Sequence, residues 1–405
     1  MPAARSAAPS AEAAPWATPS RRAVWLAAWP VTAVFVLSNT ATPLYVLWQD
    51  RLGFSSGMLT LVFACYIVGL LAALPVAGVV SDRLGRKPVL LPALALGVAA
   101  SVLFATADSV LVLAVARLLS GLAVGAVVSA GMAAVADVAG PHRRRLGALL
   151  ASAAMVLGAG TGPLLAGILS ETVPGPTVTV FLLEIVLLAL AVLVVWRMPL
   201  GRPAGPRAGA WIRVPSVPRA HRTRLLMGIA VFAPGITSTS FVLSLGPSLL
   251  ADVLDTTSRI VAGATAFVMF TTATAVQFAV RRLSVRTILL AGAASVVAAT
   301  LLLAAAVQLS SAPLLAAAAI LAGAGQGLGQ LGGLTLLGSH VPAERLAEAN
   351  AALNVGGYVP AGLLPVTVGH LGDTVGLPAA TTAFAATLAV AGLAGALFVA
   401  RGTAD

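Results

Sequence analysis

Arg117 and Glu184 are ionisable side chains that lie inside long apolar stretches of the sequence. Glu184 has Phe181, Leu187 and Leu188 around it on the helix that its stretch predicts. Ionisable residues in such surroundings are costly, face a partner or water, and often relay protons. We therefore expect Arg117 and Glu184 to take part in proton coupling. The alternatives are that Arg117 binds backbone carbonyl groups and that Glu184 is a neutral packing residue.

Uncharged polar side chains recur at spacings of three and four residues within other apolar stretches. These spacings place side chains on one face of a helix, so each set forms a polar stripe. We expect the stripes to line a cavity and to bind a solute. In the alternative, the hydroxyl groups bond to the backbone of their own helix. The candidates are Ser38, Asn39, Thr42, Tyr45, Thr237, Ser240, Ser244, Gln326, Gln330, Asn350, Asn354 and Tyr358.

The elements that must position these residues are apolar helices. Of the 405 residues, 59% are hydrophobic and 9% are charged, and the mean hydropathy is +1.00, which is typical of a membrane protein. Apolar runs of about 20 residues cross a bilayer as helices, because membrane strands need about half that length. The sequence predicts an all-α integral membrane protein with twelve transmembrane helices, at residues 25–49, 59–81, 88–106, 110–135, 146–169, 178–196, 225–249, 261–280, 287–307, 314–337, 346–368 and 377–399.

Lysine and arginine residues are distributed unevenly between these runs. With the amino terminus inside the cell, 21 of the 24 lie in segments that face the cytoplasm, which is the side that these residues favour. We therefore expect a multi-pass protein of the cytoplasmic membrane with both termini in the cytoplasm. Arg21 and Arg22 before an apolar run resemble a signal peptide, but that run is too long for one.

The chain consists of two related halves. A shift of 199 positions lays "DRLGRKPVLL" on "RRLSVRTILL" and Gln49 on Ser248, and a shift of 202 lays "ETVPGP" on "DTVGLP". The common spacing indicates duplication, and a parallel repeat of two six-helix halves is a known architecture of membrane proteins. We expect two pseudo-symmetric six-helix bundles at residues 23–197 and 223–401, a basic cytoplasmic linker at 198–222 and a disordered cytoplasmic tail at 1–22.

Several other features indicate no site. The net charge of +11 comes from residues scattered in short gaps, unlike the concentrated basic face of a nucleic-acid-binding protein, so we expect no nucleic-acid partner. The stretch "GLGQLG" matches a dinucleotide-binding pattern but lies within an apolar helix. The four histidines lack the spacing of metal ligands, and Cys65 is a packing residue. We expect no metal, no cofactor and no enzymatic activity.

The connection between the second and third runs resembles the signature loop of the major facilitator superfamily. The matching residues are Gly78, Asp82, Arg83, Gly85, Arg86 and Lys87. Glycine permits close helix approach and the unusual backbone that a tight turn needs at Gly85. The resemblance implies that the acid and the arginines latch the two halves at the cytoplasmic face when the outside is open, and that Asp137 pairs with Arg86. The alternative is a loop whose positive charge only sets the orientation.

Two further stretches resemble motifs of the same family. Arg117, Gly121 and Gly125 are similar to its fourth-helix motif. The stretch "GAGTGPLLAG" resembles the fifth-helix motif of proton-coupled antiporters, and its matching residues are Gly158, Gly162, Pro163 and Gly167. Glycines four residues apart allow close backbone contact between membrane helices, and proline permits a bend.

The resemblance implies a secondary active transporter of the drug/proton antiporter type, in which two bundles expose a central cavity to each side of the membrane in turn. Because few charges lie there, we expect a small, largely apolar molecule as the substrate. The fifth-helix motif favours efflux as the direction. We expect protons as the coupling ion and membrane lipids as further partners. The alternatives are an importer or facilitator of a metabolite, and a membrane sensor or scaffold that binds without moving a solute.

Overall fold

The structure, a computed structural model, describes residues 21–198, 200, 214–252, 255, 257–280 and 282–402. The expected tail at 1–22 lies outside this part except for its last two residues, and the expected linker at 198–222 lies partly outside it. Three short 3-10 helices, Thr42–Leu44, Pro141–Arg143 and Arg219–His221, accompany the α-helices. These are α1 (Arg21–Thr40), α2 (Tyr45–Leu52), α3 (Ser56–Leu84), α4 (Lys87–Ala105), α5 (Val110–Ala139), α6 (Arg144–Thr172), α7 (Pro176–Arg197), α8 (Arg222–Asp252), α9 (Arg259–Ala279), α10 (Val285–Gln308), α11 (Ala312–Gly338), α12 (Ala343–Val375) and α13 (Leu377–Gly402).

Twelve helical spans in the described chain are long and apolar enough to cross a membrane. The first combines α1, a 3-10 turn and α2, and each of the others contains one helix from α3 to α13. In a helix the backbone N–H and C=O groups bond to each other, so they need no partners from the lipid, which has none to offer. The prediction of twelve transmembrane helices is confirmed. Because the number is even, the start of α1 and the end of α13 lie at the same end of the bundle, here called the termini end; the opposite end is called the far end.

The first span differs from the single continuous helix that the sequence predicts. Pro43 has no N–H group, so it cannot bond to the carbonyl of Asn39 in the α-helical pattern. The chain turns at Ala41, passes through the 3-10 helix Thr42–Leu44 and resumes as α2. A 3-10 helix has three residues per turn instead of 3.6. The turn therefore interrupts the α-helical hydrogen-bond pattern between α1 and α2.

The two halves are related by the predicted duplication. Ser248 Oγ, on α8, donates a hydrogen bond to Gln49 Oε1, on α2, over 2.9 Å. These two residues are 199 positions apart, which is the shift that aligns the halves. Equivalent residues of a two-fold pair touch each other only at the axis, so the axis passes between α2 and α8. This geometry agrees with two pseudo-symmetric six-helix bundles.

The halves meet most closely along two seams at the far end, which join α6 to α9 and α3 to α12. A side chain at Gly167 would collide with the Arg259 carbonyl, and one at Gly263 with the Pro163 carbonyl. In the second seam, a Cβ atom on Gly369 would lie 2.7 Å from the Ser56 carbonyl oxygen. Small residues let membrane helices touch backbone to backbone. The far end is therefore closed between the halves.

One glycine of the signature loop is not needed for close packing. A Cβ atom on Gly78 would come no nearer than 3.8 Å to another atom, Ser129 Cβ, so there is room for a methyl group. By contrast, a Cβ on Gly121 would collide with the Tyr66 carbonyl of α3. The expectation that Gly78 allows close helix approach is therefore wrong, whereas Gly121 meets that description.

We predict that Gly121→Ala destabilises the protein by about 1 to 3 kcal/mol, because α3 and α5 must separate to admit the methyl group. The measurement is thermal unfolding of the purified protein in detergent. Gly78→Ala is the matched control and leaves the unfolding temperature unchanged. Equal stability of the two variants would contradict the backbone contact between α3 and α5.

Candidate functional site

A cavity of about 340 Å³ lies between the two halves. Four helices from each half line it: α1, α3, α5 and α6 from the first, and α8, α9, α11 and α12 from the second. Its residues on α5, α6, α9 and α11 come from the parts of those helices near the termini end. The cavity therefore extends from the middle of the bundle toward the termini end, and its size is typical of a small-molecule site.

The cavity wall is apolar with hydrogen-bonding groups set into it. None of the described residues that line it carries an Asp, Glu, Lys, Arg or His side chain. Its aromatic rings come from both halves, including Phe63 and Phe270. The polar lining residues are Ser38, Asn39, Tyr66, Ser152, Thr239, Ser240, Thr274, Gln277, Gln326, Gln330, Asn354 and Tyr358. Such a wall can hold an uncharged molecule by apolar contact and by a few hydrogen bonds.

Seven of the twelve cavity residues that the sequence predicts lie in this wall: Ser38, Asn39, Ser240, Gln326, Gln330, Asn354 and Tyr358. The wall also contains five polar residues that the sequence did not predict: Tyr66, Ser152, Thr239, Thr274 and Gln277. Gln277 carried a usable signal, because an amide inside an apolar run is costly to bury without a partner. The single hydroxyl groups carried none, since they often bond to their own helix.

The other five predicted residues do not line the cavity, and this is a correction. Thr42 is buried, with no hydrogen-bond partner for its hydroxyl among the described residues, and the Tyr45 hydroxyl accepts from Arg117 Nε behind the wall. Thr237 is fully buried in helix packing, with no hydrogen-bond partner for its hydroxyl among the described residues. Ser244 bonds to the backbone of its own helix. Asn350 precedes Asn354 by one turn and also lies outside the wall, with a buried side-chain oxygen.

Two serine hydroxyls in the wall, those of Ser38 and Ser240, are already engaged. Ser240 Oγ donates to the carbonyl oxygen of Ala361 over 2.7 Å, which the helix cannot bond because Pro365, four residues on, has no N–H. Ser38 Oγ donates to the Phe35 carbonyl oxygen over 2.6 Å. In contrast, Gln326 Oε1 is buried without a partner among the described residues. The amides are therefore better placed than the serines to bind a solute.

Arg117 lies behind the cavity wall. The side chain is fully buried, its Nε donates to the Tyr45 hydroxyl, and its Nη1 donates to the Ser38 carbonyl oxygen over 2.7 Å. The guanidinium carbon lies 5.2 Å and 5.6 Å from the ring centres of Phe63 and Tyr66, two residues of the wall. Arg117 thus holds the end of α1 beside its break, which agrees with the alternative role of binding a carbonyl group.

Glu184 lies apart from both the cavity and Arg117. It is 2% exposed, on the face of α7 that also carries Phe181 and Leu188, and its Oε1 has no partner among the described residues. The Phe104 ring lies 6.0 Å from the Arg117 guanidinium and stacks at 4.9 Å on Phe181. The rings of Phe104 and Phe181, here called the aromatic layer, therefore lie between Arg117 and Glu184. The structure does not bring these two ionisable groups together.

The signature loop forms an ion-pair cluster at the termini end, within the first half. Arg86 Nε donates to Asp137 over 2.9 Å, and Nη1 donates to Asp82 over 2.8 Å. Burial lowers the pKa of Arg86, but hydrogen bonds and attraction from the two carboxylates outweigh it, so the pKa is raised. Gly85 adopts a φ of 97°, which favours glycine. Lys87 Nζ donates to the last turn of α7, at the Trp196 carbonyl.

The fifth-helix motif places α6 between the halves. Gly158 and Gly162 face α1, where side chains would collide with the carbonyl oxygens of Thr32 and Val36. Pro163 and Gly167 face α9 of the other half. One short motif therefore supplies both the packing of α6 within its own half and the seam to the second half.

We predict that Tyr45→Phe lowers the free energy of unfolding by about 1 to 3 kcal/mol, because it leaves a buried N–H of Arg117 without its acceptor. Thermal unfolding in detergent measures the effect. The control is Tyr358→Phe, since the Tyr358 hydroxyl faces the cavity without a hydrogen bond to a described residue. The account of Arg117 fails if both variants unfold at the same temperature as the unmodified protein.

The multidrug resistance protein MdtL of Escherichia coli strain HS and that of Shigella boydii serotype 18 are each 33% identical to the chain over 116 residues, which cover 28% of the chain and 30% of the relative. The chain thus matches less than a third of the length of these curated relatives. A crystal structure of the nucleoside transporter NupG matches with a TM-score of 0.74 at 12% identity, over 93% of this chain and 99% of that one, which shows the shared fold.

The family model described as Major Facilitator Superfamily matches residues 24–287. This span includes the signature loop and the fourth- and fifth-helix motifs, so the resemblance found in the sequence is confirmed. It also bears out the prediction of a transporter rather than an enzyme. The chain belongs to the Major Facilitator Superfamily.

Proposed function

We propose that this chain exports small, uncharged, largely apolar molecules across the cytoplasmic membrane by alternating access. The observation that carries the proposal is the cavity between the halves, whose described wall is apolar, contains amides and hydroxyls, and bears no charged side chain. A charged solute would lose its hydration there without a counter-charge, which costs several kcal/mol. An uncharged molecule with aromatic or aliphatic surface and one or two hydrogen-bonding groups fits this wall best.

The side of the membrane that the cavity faces follows from charge. Lysine and arginine residues concentrate at the termini end, which we therefore place in the cytoplasm. The cavity then faces the cytoplasm, and the closed far end faces outside. A molecule that enters from the cytoplasm or from the inner leaflet would reach the wall directly. The fifth-helix motif and the partial similarity to a multidrug resistance protein support efflux.

Protons are the proposed coupling ion, and Glu184 is the proposed proton carrier. It is a carboxyl group buried inside a transmembrane helix, with no cation at ion-pair distance among the described residues. Intramembrane acids in transporters often relay protons. Arg117 stands between the cavity wall and the aromatic layer that reaches toward Glu184. We propose that Arg117 couples the position of α1 to that layer.

The first test is flux through the purified protein in lipid vesicles. We expect saturable movement of neutral dyes and none of permanently charged dyes of the same size. Gln326→Leu should raise KM for a dye with a hydrogen-bond donor about fivefold, since a buried hydrogen bond contributes about 1 kcal/mol. Gln308→Leu, at an exposed far-end glutamine, is the control. Binding without flux would favour a sensor or scaffold, and flux only into the cytoplasm would favour an importer or facilitator.

The second test concerns the proton. Glu184→Gln keeps the size of the side chain but cannot release a proton, so transport by this variant should no longer respond to a pH gradient across the vesicle membrane. Asp108→Asn, which removes an exposed carboxyl group at the far end, should keep the full response. A Glu184→Gln variant with an unchanged response to the pH gradient would remove Glu184 from the mechanism.

A further inference from the structure

Two carboxylates at the far end each bond to the start of a helix in the other half. The first is Glu171, in the last turn of α6. Its Oε1 accepts hydrogen bonds from Ser258 Oγ and from the backbone N–H of Ile260, each over 3.1 Å, and from the N–H of Arg259. The Arg259 side chain donates back to Ser170, through Nε to Oγ over 2.9 Å. Glu171 therefore caps α9 across the seam between the halves.

The second carboxylate is Asp373, in the last turn of α12. Its Oδ2 accepts a hydrogen bond from the backbone N–H of Gly57 over 3.0 Å, in the first turn of α3. One turn earlier, Gly369 packs against the Ser56 carbonyl and the Thr60 side chain. The second seam is therefore closed by the same kind of contact as the first, with the roles of the two halves exchanged.

The two contacts are copies of each other. A shift of 202 positions converts Glu171 into Asp373 and Gly57 into Arg259, and it converts Gly167 into Gly369. This is the shift that aligns "ETVPGP" with "DTVGLP". In both seams a glycine brings two helices together, and a carboxylate one turn later bonds to the first N–H groups of the partner helix. The duplication has thus kept a complete arrangement, not one residue.

The physics of a helix start explains why a carboxylate sits there. The first N–H groups of a helix have no partner within the helix, and the aligned peptide dipoles leave a partial positive charge. A carboxylate from the other half satisfies both. When the halves separate at the far end, each helix start loses its acceptor and each carboxylate loses its donors. Opening of the far end therefore breaks both contacts at once.

We infer that Glu171 and Asp373 form a doubled lock that holds the far end closed and sets the balance between the two states of the transporter. The inference rests on the alternating access proposed above, because it assumes that the halves separate at the far end. Among the described residues, Glu171 has three donors and Asp373 has one, so Glu171 contributes more to the closed state. Neither residue lines the cavity, so the lock controls the conformation without touching the substrate.

The test measures opening directly and needs no substrate. Ser248 is 2% exposed and lies between the halves near the far end. With Cys65→Ala in place, Ser248→Cys provides a single reactive thiol that a maleimide reaches only when the far end opens. We expect Glu171→Gln to raise the labelling rate about two- to fivefold, which corresponds to the stabilisation that a negative charge provides at a helix start. Asp373→Asn should raise it by less, and the double variant by roughly the product of the two.

Two controls separate the lock from loss of structure. Asp108→Asn removes a far-end carboxylate with no bond to the other half among the described residues, and it should leave the rate unchanged. A second reporter, Ser152→Cys, lies in the cavity wall near the termini end. Its labelling should not rise in the lock variants, whereas unfolding would raise labelling at both reporters.

The inference is overturned if the double variant labels Ser248→Cys at the same rate as the Asp108→Asn control. It is also overturned if the labelling rates of Ser248→Cys and Ser152→Cys rise together in every lock variant. Because the readout is opening and not flux, a failed lock leaves the proposed function untouched. A protein that opens as expected but moves no solute would instead refute the proposed function and keep the lock.

Discussion

The arrangement of the whole molecule depends on backbone contact between the halves along two seams at the far end. Glycine on one helix faces a carbonyl group on the other, as at Gly167 against α9 and Gly369 against α3. At these glycines the helix backbones already touch, so the halves cannot come closer there. Bundles that touch at one end separate toward the other, and the cavity occupies the resulting space. The location of the cavity thus follows from the placement of a few small residues.

Two polar side chains inside the halves, Arg117 and Ser240, compensate for broken helices. Pro43 interrupts the first span, and Arg117 binds a carbonyl group beside the break. Pro365 frees the carbonyl of Ala361, and Ser240 binds it. Unpaired polar groups are costly in an apolar interior, so these side chains are already committed. The groups that remain free to bind a solute are the amides and an apolar, aromatic wall. They fit the uncharged, largely apolar substrate proposed above.

The sequence could predict the twelve crossings, because their length and apolarity leave only helices possible in a bilayer. It also predicted the duplication, and Gln49 and Ser248 now lie against each other as a two-fold pair.

Helical spacing was less reliable for the cavity. Thr42 and Tyr45 were assigned to the stripe of Ser38, but Thr42 is buried in packing and the Tyr45 hydroxyl bonds to Arg117 behind the wall. Spacing also cannot distinguish a face that meets a neighbouring helix, as at Thr237, from one that meets a cavity. Glu171 and Asp373 were visible as a repeated pattern, but their partners are more than 80 residues away.

The most direct measurement of the central claim is the distance between the halves at each end, in the same protein and under the same conditions. Spin labels at the exposed positions Thr106 and Leu309 report the far end, and labels at Leu84 and Leu283 report the termini end. The account predicts that a neutral substrate or a pH change lengthens the first distance while it shortens the second. Two distances that stay fixed, or that lengthen together, would contradict it.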